Sequence, residues 1–377
     1  VDKCRKNKIK LYIQGGAGVH TSAAYLALGV EGVILDSQVA LFPECSAPKA
    51  LQQTCEKLSG SETMVVDGFR VLHRNTSPKL QEKATIKDIE KYLGGYDISS
   101  NYIPMGQDIA LAVDFAKRYK TLESFVSHFY EAAYGHVHQA QHLHVVSKGN
   151  PLAKELGIEY PITQGPMARV SDVPEFAKDI AEGGALPFLA MSLTTGKAAV
   201  DLMAGTKKRI GEQPWGVGSM GFIPPAIRDE QTKLIIEAKP NAGLLAGGRP
   251  SLSKPFQDAG IKVFIHVPSA ALLEMFIKEG ARDFIFEGRE SGGHVGPLSS
   301  MVLWEKQIFV LLGLEDKSVI SVLFAGGIHD ALSSAFVSIM SASLAAQGAK
   351  IGVQLGTSYL YTKEAVTSGA IVKEYQK

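Results

Sequence analysis

The stretch Phe286-Glu287-Gly288-Arg289-Glu290-Ser291-Gly292-Gly293-His294-Val295-Gly296-Pro297 sets one imidazole behind two glycines and ahead of a Gly-Pro exit. An imidazole can exchange a proton near neutral pH, and residues without side chains let a flat ligand approach the backbone. His294 is therefore read as a proton-transfer residue rather than a structural histidine. Two further motifs, Ala325-Gly326-Gly327 and Leu355-Gly356-Thr357, each close an apolar, β-branched run. Backbone N–H groups in such turns, with a short helix amino terminus, suit a phosphate; tight turns with no ligand are the plain alternative. Gln164-Gly165-Pro166-Met167-Ala168 ends another such run. It could lay amides and a thioether against an aromatic ring system, although core packing alone would also account for Met167.

These motifs need strands to carry them. From Tyr160 onward, short apolar runs alternate with amphipathic stretches such as Val173–Glu182 and Ala270–Lys278. The runs are Ile162–Gln164, Leu186–Ala190, Trp215–Gly218, Gly243–Ala246, Val263–Val267, Asp283–Glu287, Val322–Ala325 and Ile351–Leu355. Eight strands buried on both faces, each followed by a crossover, predict an α/β fold of the (β/α)8 TIM-barrel type. The motifs then fall after strands one, six, seven and eight, on the rim where barrel enzymes place their sites. An open doubly wound sheet is the runner-up.

The amino-terminal part reads differently. Leu11–Gly16 and Gly32–Ser37 look like two strands joined by the helical Ser22–Leu28, and Val65–Leu72 like a strand pair turning at Asp67-Gly68. Helical, polar patterns follow over Asp108–Lys120 and Leu122–Ala133. An internal echo links the two parts: Gly15-Gly16 aligns with Gly326-Gly327, and Asp36-Ser37 with Gly356-Thr357. The expected organisation is a partial barrel-end repeat over residues 1–60, a mainly helical connector over 61–155 and the barrel over 156–377. The amino-terminal α+β appendage thus resembles the end of a second barrel, and the chain reads as a piece of a larger protein.

Composition narrows the function class. With 39 Lys+Arg against 38 Asp+Glu the net charge is +1, which gives no electrostatic reason to expect nucleic acid or an anionic membrane. Apolar residues at 45% and charged residues at 20% are ordinary for a globular protein. Three cysteines, Cys4, Cys45 and Cys55, and no apolar leader give the expectation of a reduced, cytoplasmic setting. His136, His138, His142 and His144 form H-x-H-x3-H-x-H; a polar helix is the simpler reading than a metal site, and no metal is expected. Arg249, Arg282 and Arg289 could form a basic rim for an acidic carrier or a cofactor phosphate.

Taken together, QGPMA, EGRESGGHVG, AGG and GVQLGTSYLYTKEA resemble the nitronate monooxygenase (2-nitropropane dioxygenase-like) family of FMN-binding barrels and the related FMN-dependent enoyl reductases. PWGVGSMGFIPPAIRDEQ, LLAGGRPS, FIHVPSAALL and FEGRESGGHVGPLSS are most similar to a branch associated with polyketide and polyunsaturated fatty acid synthases. The resemblance runs from Pro161 to Ala365. It implies that Met167 and Ala168 touch the isoalloxazine, that Gly292 and Gly293 allow its approach, and that Gly326, Gly327, Gly356 and Thr357 hold its phosphate. His294 matches the family's catalytic histidine. Two departures stand out: Gly218-Ser219-Met220 where many members have an Asn, and Glu287 where many have a Gln. A carboxylate accepts from a flavin N–H but cannot donate to a carbonyl. The implied activity is either nitronate oxidation with oxygen or enoyl-thioester reduction with NAD(P)H, with an acyl carrier protein or other synthase domains as partners. A non-catalytic docking segment of a megasynthase is the alternative.

Overall fold

The computed structural model describes residues 1–72, 84–95, 97–293 and 295–377. The chain divides into two compact units, Val1–His138 with Pro297–Phe309, and Gln139–Gly296 with Val310–Lys377.

In the first unit, strands β1 (Tyr12–Gln14) and β2 (Gly32–Ile34) pair in parallel, joined by the helix Val19–Ala27. This is the strand–helix–strand order read from the sequence for this segment. Strands β3 (Thr63–Val66), β4 (Phe69–Leu72) and β5 (Ile103–Pro104) form a small antiparallel sheet. The β3–β4 turn is made by Asp67 and Gly68, at φ 47° and 83°. Two left-handed residues give the twist a two-residue hairpin requires, which is why Asp-Gly announces it in the sequence. Phe42, Leu111, Phe115, Phe125 and Phe129 form one core of this unit. Leu298, Val302 and Leu303 bury with Ala110 in another.

The second unit is a closed parallel barrel of eight strands: β6 (Ile162–Gln164), β7 (Leu186–Ala190), β8 (Gly216–Met220), β9 (Ala242–Ala246), β10 (Lys262–His266), β11 (Asp283–Glu287), β12 (Ser321–Ala325) and β13 (Lys350–Leu355). β13 closes on β6, with Leu355 in register with Gln164. The doubly wound alternative is thereby excluded. Three strands match the sequence expectation to the residue and the other five differ by one or two residues at one end or both; β8, for example, runs on to Met220 rather than stopping at Gly218.

Alternation along each strand sorts side chains between two cores. Leu186, Phe188, Leu244, Phe264, Ile285 and Leu323 fill the interior. Leu189, Val217, Leu245 and Val263 face the helices outside. The helix Pro151–Leu156 adds Leu152 and Leu156 to the inner core. A Cβ on Gly352 would lie 2.7 Å from Leu152 Cδ2, so this glycine is what lets the plug seat against β13. Asn150 starts the plug by accepting from Ala153 N–H at 2.8 Å, and Gly157 at φ 70° ends it.

At the amino-terminal ends of the strands, Lys262 Nζ contacts Asp283 Oδ1 at 2.5 Å and Glu155 Oε1 at 3.1 Å, and Lys350 Nζ contacts Glu155 Oε2 at 3.0 Å. Burial works to raise the Glu155 carboxyl, but the Lys350 and Lys262 ammonium groups outweigh it and hold the carboxyl below its usual value. This end of a barrel serves stability; the opposite end is where chemistry is expected.

Candidate functional site

Alternation also decides which groups reach the carboxyl-terminal mouth of the barrel. His266 follows Phe264 by two residues and Glu287 follows Ile285 by two, so both turn inward at the ends of adjacent strands. Their side chains are 13% and 10% exposed, with His266 Nδ1 lying 2.9 Å from Glu287 Oε2. The contact is out of line for a good hydrogen bond. Among the described residues, His266 Nε2 and Glu287 Oε2 are buried and have no hydrogen-bond partner.

The loops above them converge. A Cβ on Gly356 would sit 3.9 Å from Met167 Sδ, so the loops after β6 and β13 meet there. A Cβ on Gly327 would sit 3.7 Å from Glu290 Cβ, which joins the loops after β11 and β12. Gly292 and Gly293 are exposed, and a Cβ on either would meet nothing within 4 Å. The Met167 turn is pinned by Ser171, whose hydroxyl accepts from Met167 N–H at 2.6 Å and donates to its carbonyl at 3.0 Å. Ala168 is exposed beside it. Pro166 lies over Gly218, where a Cβ would fall 2.4 Å from Pro166 Cγ. That close approach is a physical reason for glycine at the position where the resemblance implied a change of flavin contact.

The phosphate region differs in detail from the sequence reading. Gly326 and Gly327 have φ 119° and 75°, backbone conformations that favour glycine. The helix that follows, Ala331–Met340, already has its amino terminus filled: Asp330 Oδ1 accepts from Ser333 N–H at 2.8 Å. The Ser333 hydroxyl and N–H hold the Asp330 carboxyl below its ordinary value. The helix opened by Gly356 runs only from Thr357 to Leu360, too short for a useful dipole. The amides of Gly327 and of Gly356–Ser358, rather than helix ends, are thus the donors on offer. Sequence reasoning missed two hydroxyls here: Ser291 Oγ and Ser358 Oγ are buried with no partner among the described residues. It also missed His266, although the alternation Lys262-Val263-Phe264-Ile265-His266 carried the signal of a polar inward residue at a strand end.

These features fit FMN. Open space at Gly292 and Gly293 suits a flat ring, hydroxyl and amide donors at Gly327 and Gly356–Ser358 suit a phosphate, and Glu287 with His266 suits a ring N–H. His294, the proton-transfer candidate, lies outside the described residues.

Other candidates fall elsewhere. Arg249 and Arg289 follow β9 and β11, but Arg282 precedes β11 and donates to the Ile277 and Ala281 carbonyls at 3.0 and 2.6 Å. It sits at the opposite end of the barrel and does not join a rim with the other two. His136 is not part of a polar face: it is buried, and its Nε2 lies 2.8 Å from His20 Nδ1. No three His, Cys, Asp or Glu side chains among the described residues are placed to share a metal ion. A cavity of about 390 Å³ at the amino-terminal end is lined by Glu155, Asn241 and Lys262, and one of about 480 Å³ by Ser219, Gln231, Leu245 and Phe256. Neither includes the mouth residues. No helix among the described residues is long and apolar enough to cross a membrane.

The chain is similar to (3aS,4S,5R,7aS)-5-hydroxy-7a-methyl-1-oxo-octahydro-1H-indene-4-carboxyl-CoA dehydrogenase of Mycobacterium tuberculosis, with 27% identity over 60% of this chain and 59% of the relative. The enzyme of the same name from Rhodococcus jostii is also 27% identical, over 59% of this chain and 58% of its own length. The chain therefore spans less than two thirds of these curated relatives. Among solved structures it is similar to FabK from Thermotoga maritima, with 29% identity, a TM-score of 0.47, and coverage of 56% of this chain and 63% of that one. The nitronate monooxygenase family model matches residues 225–377, a span that includes Glu287, Gly292, Gly293, His294, Gly326, Gly327, Gly356 and Thr357 but not Met167 or Ala168. Over those residues the chain is similar to the nitronate monooxygenase family.

Proposed function

We propose that the barrel is an FMN-dependent oxidoreductase acting on acyl thioesters. The observation that carries the cofactor is the convergence, at one barrel end, of glycine turns, two partnerless hydroxyls and the His266–Glu287 pair around open space at Gly292 and Gly293. The substrate class is supported by the two relatives named for a carboxyl-CoA substrate.

Bound FMN supplies the two-electron exchange with NAD(P)H and with the thioester's β-carbon. The chain's own residues do the rest. Gly327, Gly356, Thr357 and Ser358 hold the phosphate, while Met167 and Ala168 line the ring. His294 delivers a proton to the carbon next to the thioester carbonyl, where charge builds as hydride arrives at the β-carbon. An acyl carrier protein or coenzyme A would present the acyl group.

The family match supports a second reading, nitronate oxidation with oxygen, in which His294 removes a proton from the carbon bearing the nitro group. One experiment separates them. Purified protein is examined for a flavin spectrum, reduced anaerobically with NADPH, and mixed with an enoyl-CoA, or with a nitronate and oxygen. Reoxidation by the enoyl-CoA is expected. Turnover of the nitronate alone would move the assignment to the second reading, and colourless protein that takes up no FMN would leave a docking segment.

A further inference from the structure

We infer that His266, oriented by Glu287, is a cofactor-contacting residue that accepts a hydrogen bond from N3–H of the bound isoalloxazine; this rests on the FMN reading above. The geometry is specific. The two side chains turn inward from the ends of neighbouring strands, and Nδ1 of one lies 2.9 Å from Oε2 of the other. A carboxylate at that distance cannot face a nitrogen lone pair, so the Nδ1 position carries the proton. In the neutral ring, Nε2 then presents a lone pair. That atom is buried and has no partner among the described residues, a costly arrangement unless a ligand supplies a donor. Oxidised isoalloxazine has one N–H, at N3; its other polar ring atoms are acceptors. An inward-facing acceptor at the barrel mouth, backed by a carboxylate that is a second acceptor, is complementary to that edge and to no other part of the ring. Glu287 acts here in two ways, its charge favouring the tautomer with the proton at Nδ1 and adding negative potential beside the ring N–H. The contact is distinct from proton transfer to substrate, which falls to His294.

The test compares FMN with 3-methyl-FMN, in which the N3 proton is replaced by a methyl group, by fluorescence titration of apoprotein. Parent protein is expected to bind FMN at least tenfold more tightly than 3-methyl-FMN. His266→Phe, which keeps ring size and removes both nitrogens, should bring the ratio close to one. His266→Ala is measured in parallel, since it leaves space rather than filling it. Glu287→Gln should lower the ratio while keeping His266, because an amide N–H facing Nδ1 reverses the tautomer. Should both His266 variants melt with the parent yet bind no FMN, the contact is supported as one the cofactor requires. Equal affinity of the parent for the two flavins, or an undiminished ratio in the variants, overturns the inference. Failure of the parent to bind FMN overturns the cofactor reading itself, so the two failures are distinguishable.

Discussion

The carboxylate of Glu305 accepts from the backbone N–H of Thr21 at 2.8 Å, and both its oxygens lie 3.1 Å from the N–H of His20. It closes the amino terminus of the helix Val19–Ala27, where orphan donors and a positive dipole end favour an anion. A Cβ on Gly18 would fall 2.2 Å from Glu305 Cδ, so the seat is tight. This is the helix that follows Gly15-Gly16, the echo of the Gly326-Gly327 turn. The amino terminus of this helix is occupied from within the protein by the Glu305 carboxyl. Asp36, which the alignment sets opposite Gly356, instead accepts from Gln14 Nε2 at 3.1 Å. We therefore expect no more than one FMN per chain; a flavin-to-protein ratio near two would show this wrong.

Burial pushes the Glu305 carboxyl up to about 7, against the pull of the Thr21 and His20 N–H groups. The folded protein keeps this proton at pH values where the unfolded carboxyl, near 4.5, has released it. Its contribution to stability is complete below about 4.5 and is lost as pH rises through about 7. His20 and His136 work the other way: burial lowers His20 well below its ordinary value and brings His136 to about 4, so their contribution falls as pH drops below 6.5. Comparing the parent with Glu305→Gln cancels the histidines. Denaturant titrations should show the parent losing stability relative to the variant as pH rises from about 5 to 8. The slope should be at most about 1.4 kcal/mol per pH unit. A constant difference across that range counts against a proton held at Glu305.

Gly327 sits at φ 75°, which a β-branched residue adopts only with strain. Gly327→Val should abolish FMN retention by displacing the turn's amides. Ser358→Ala removes one buried hydroxyl, and a hydrogen bond to a charged group is typically worth about 1.5–3 kcal/mol. Its FMN affinity should fall by about tenfold or more. Unchanged affinity in Ser358→Ala would remove that hydroxyl from the phosphate site.

His294→Ala should retain FMN and its reduction by NADPH while losing about 10²–10⁴-fold in the substrate-dependent step. Stopped-flow measurement of the two half-reactions separates these effects. Equal rates in mutant and parent would take His294 out of proton transfer.

Gly218→Ala forces a Cβ into Pro166 and must shift the loop that carries Met167 toward Gly356. Overpacking of this kind costs about 1–3 kcal/mol. A lower melting temperature with weakened FMN binding is the expected pair of outcomes. An unaltered FMN affinity would mean that the Met167 loop does not need its present position.

The barrel was legible because its strands are buried on both faces and end in glycine or proline; apolar runs such as Leu186–Ala190 and Asp283–Glu287 match the observed strands to the residue. The glycine turns were legible for the same reason. Pairings that depend on tertiary placement were not. Nothing in the local sequence around His266 shows that it turns toward Glu287, since this follows only once Phe264 and Ile285 are known to share the interior. His136 misled for the converse reason: its helical neighbourhood is polar, but the ring is buried against His20, 116 positions earlier in the chain. The sequence does not single out Ser291 or Ser358, because a missing partner is visible only in three dimensions.

Pro297–Phe309 belongs to the first unit although it lies in the sequence between β11 and β12 of the barrel. Leu298, Val302, Leu303 and Glu305 from that stretch are buried with residues before position 139. A gene cut at the codon for residue 139 would strip these side chains of their partners and leave an apolar, acid-bearing surface on the remaining polypeptide. The units thus cannot be exchanged as cassettes. Recombination that replaces one must carry the short downstream stretch with it, which ties the inheritance of the amino-terminal part to that of the barrel.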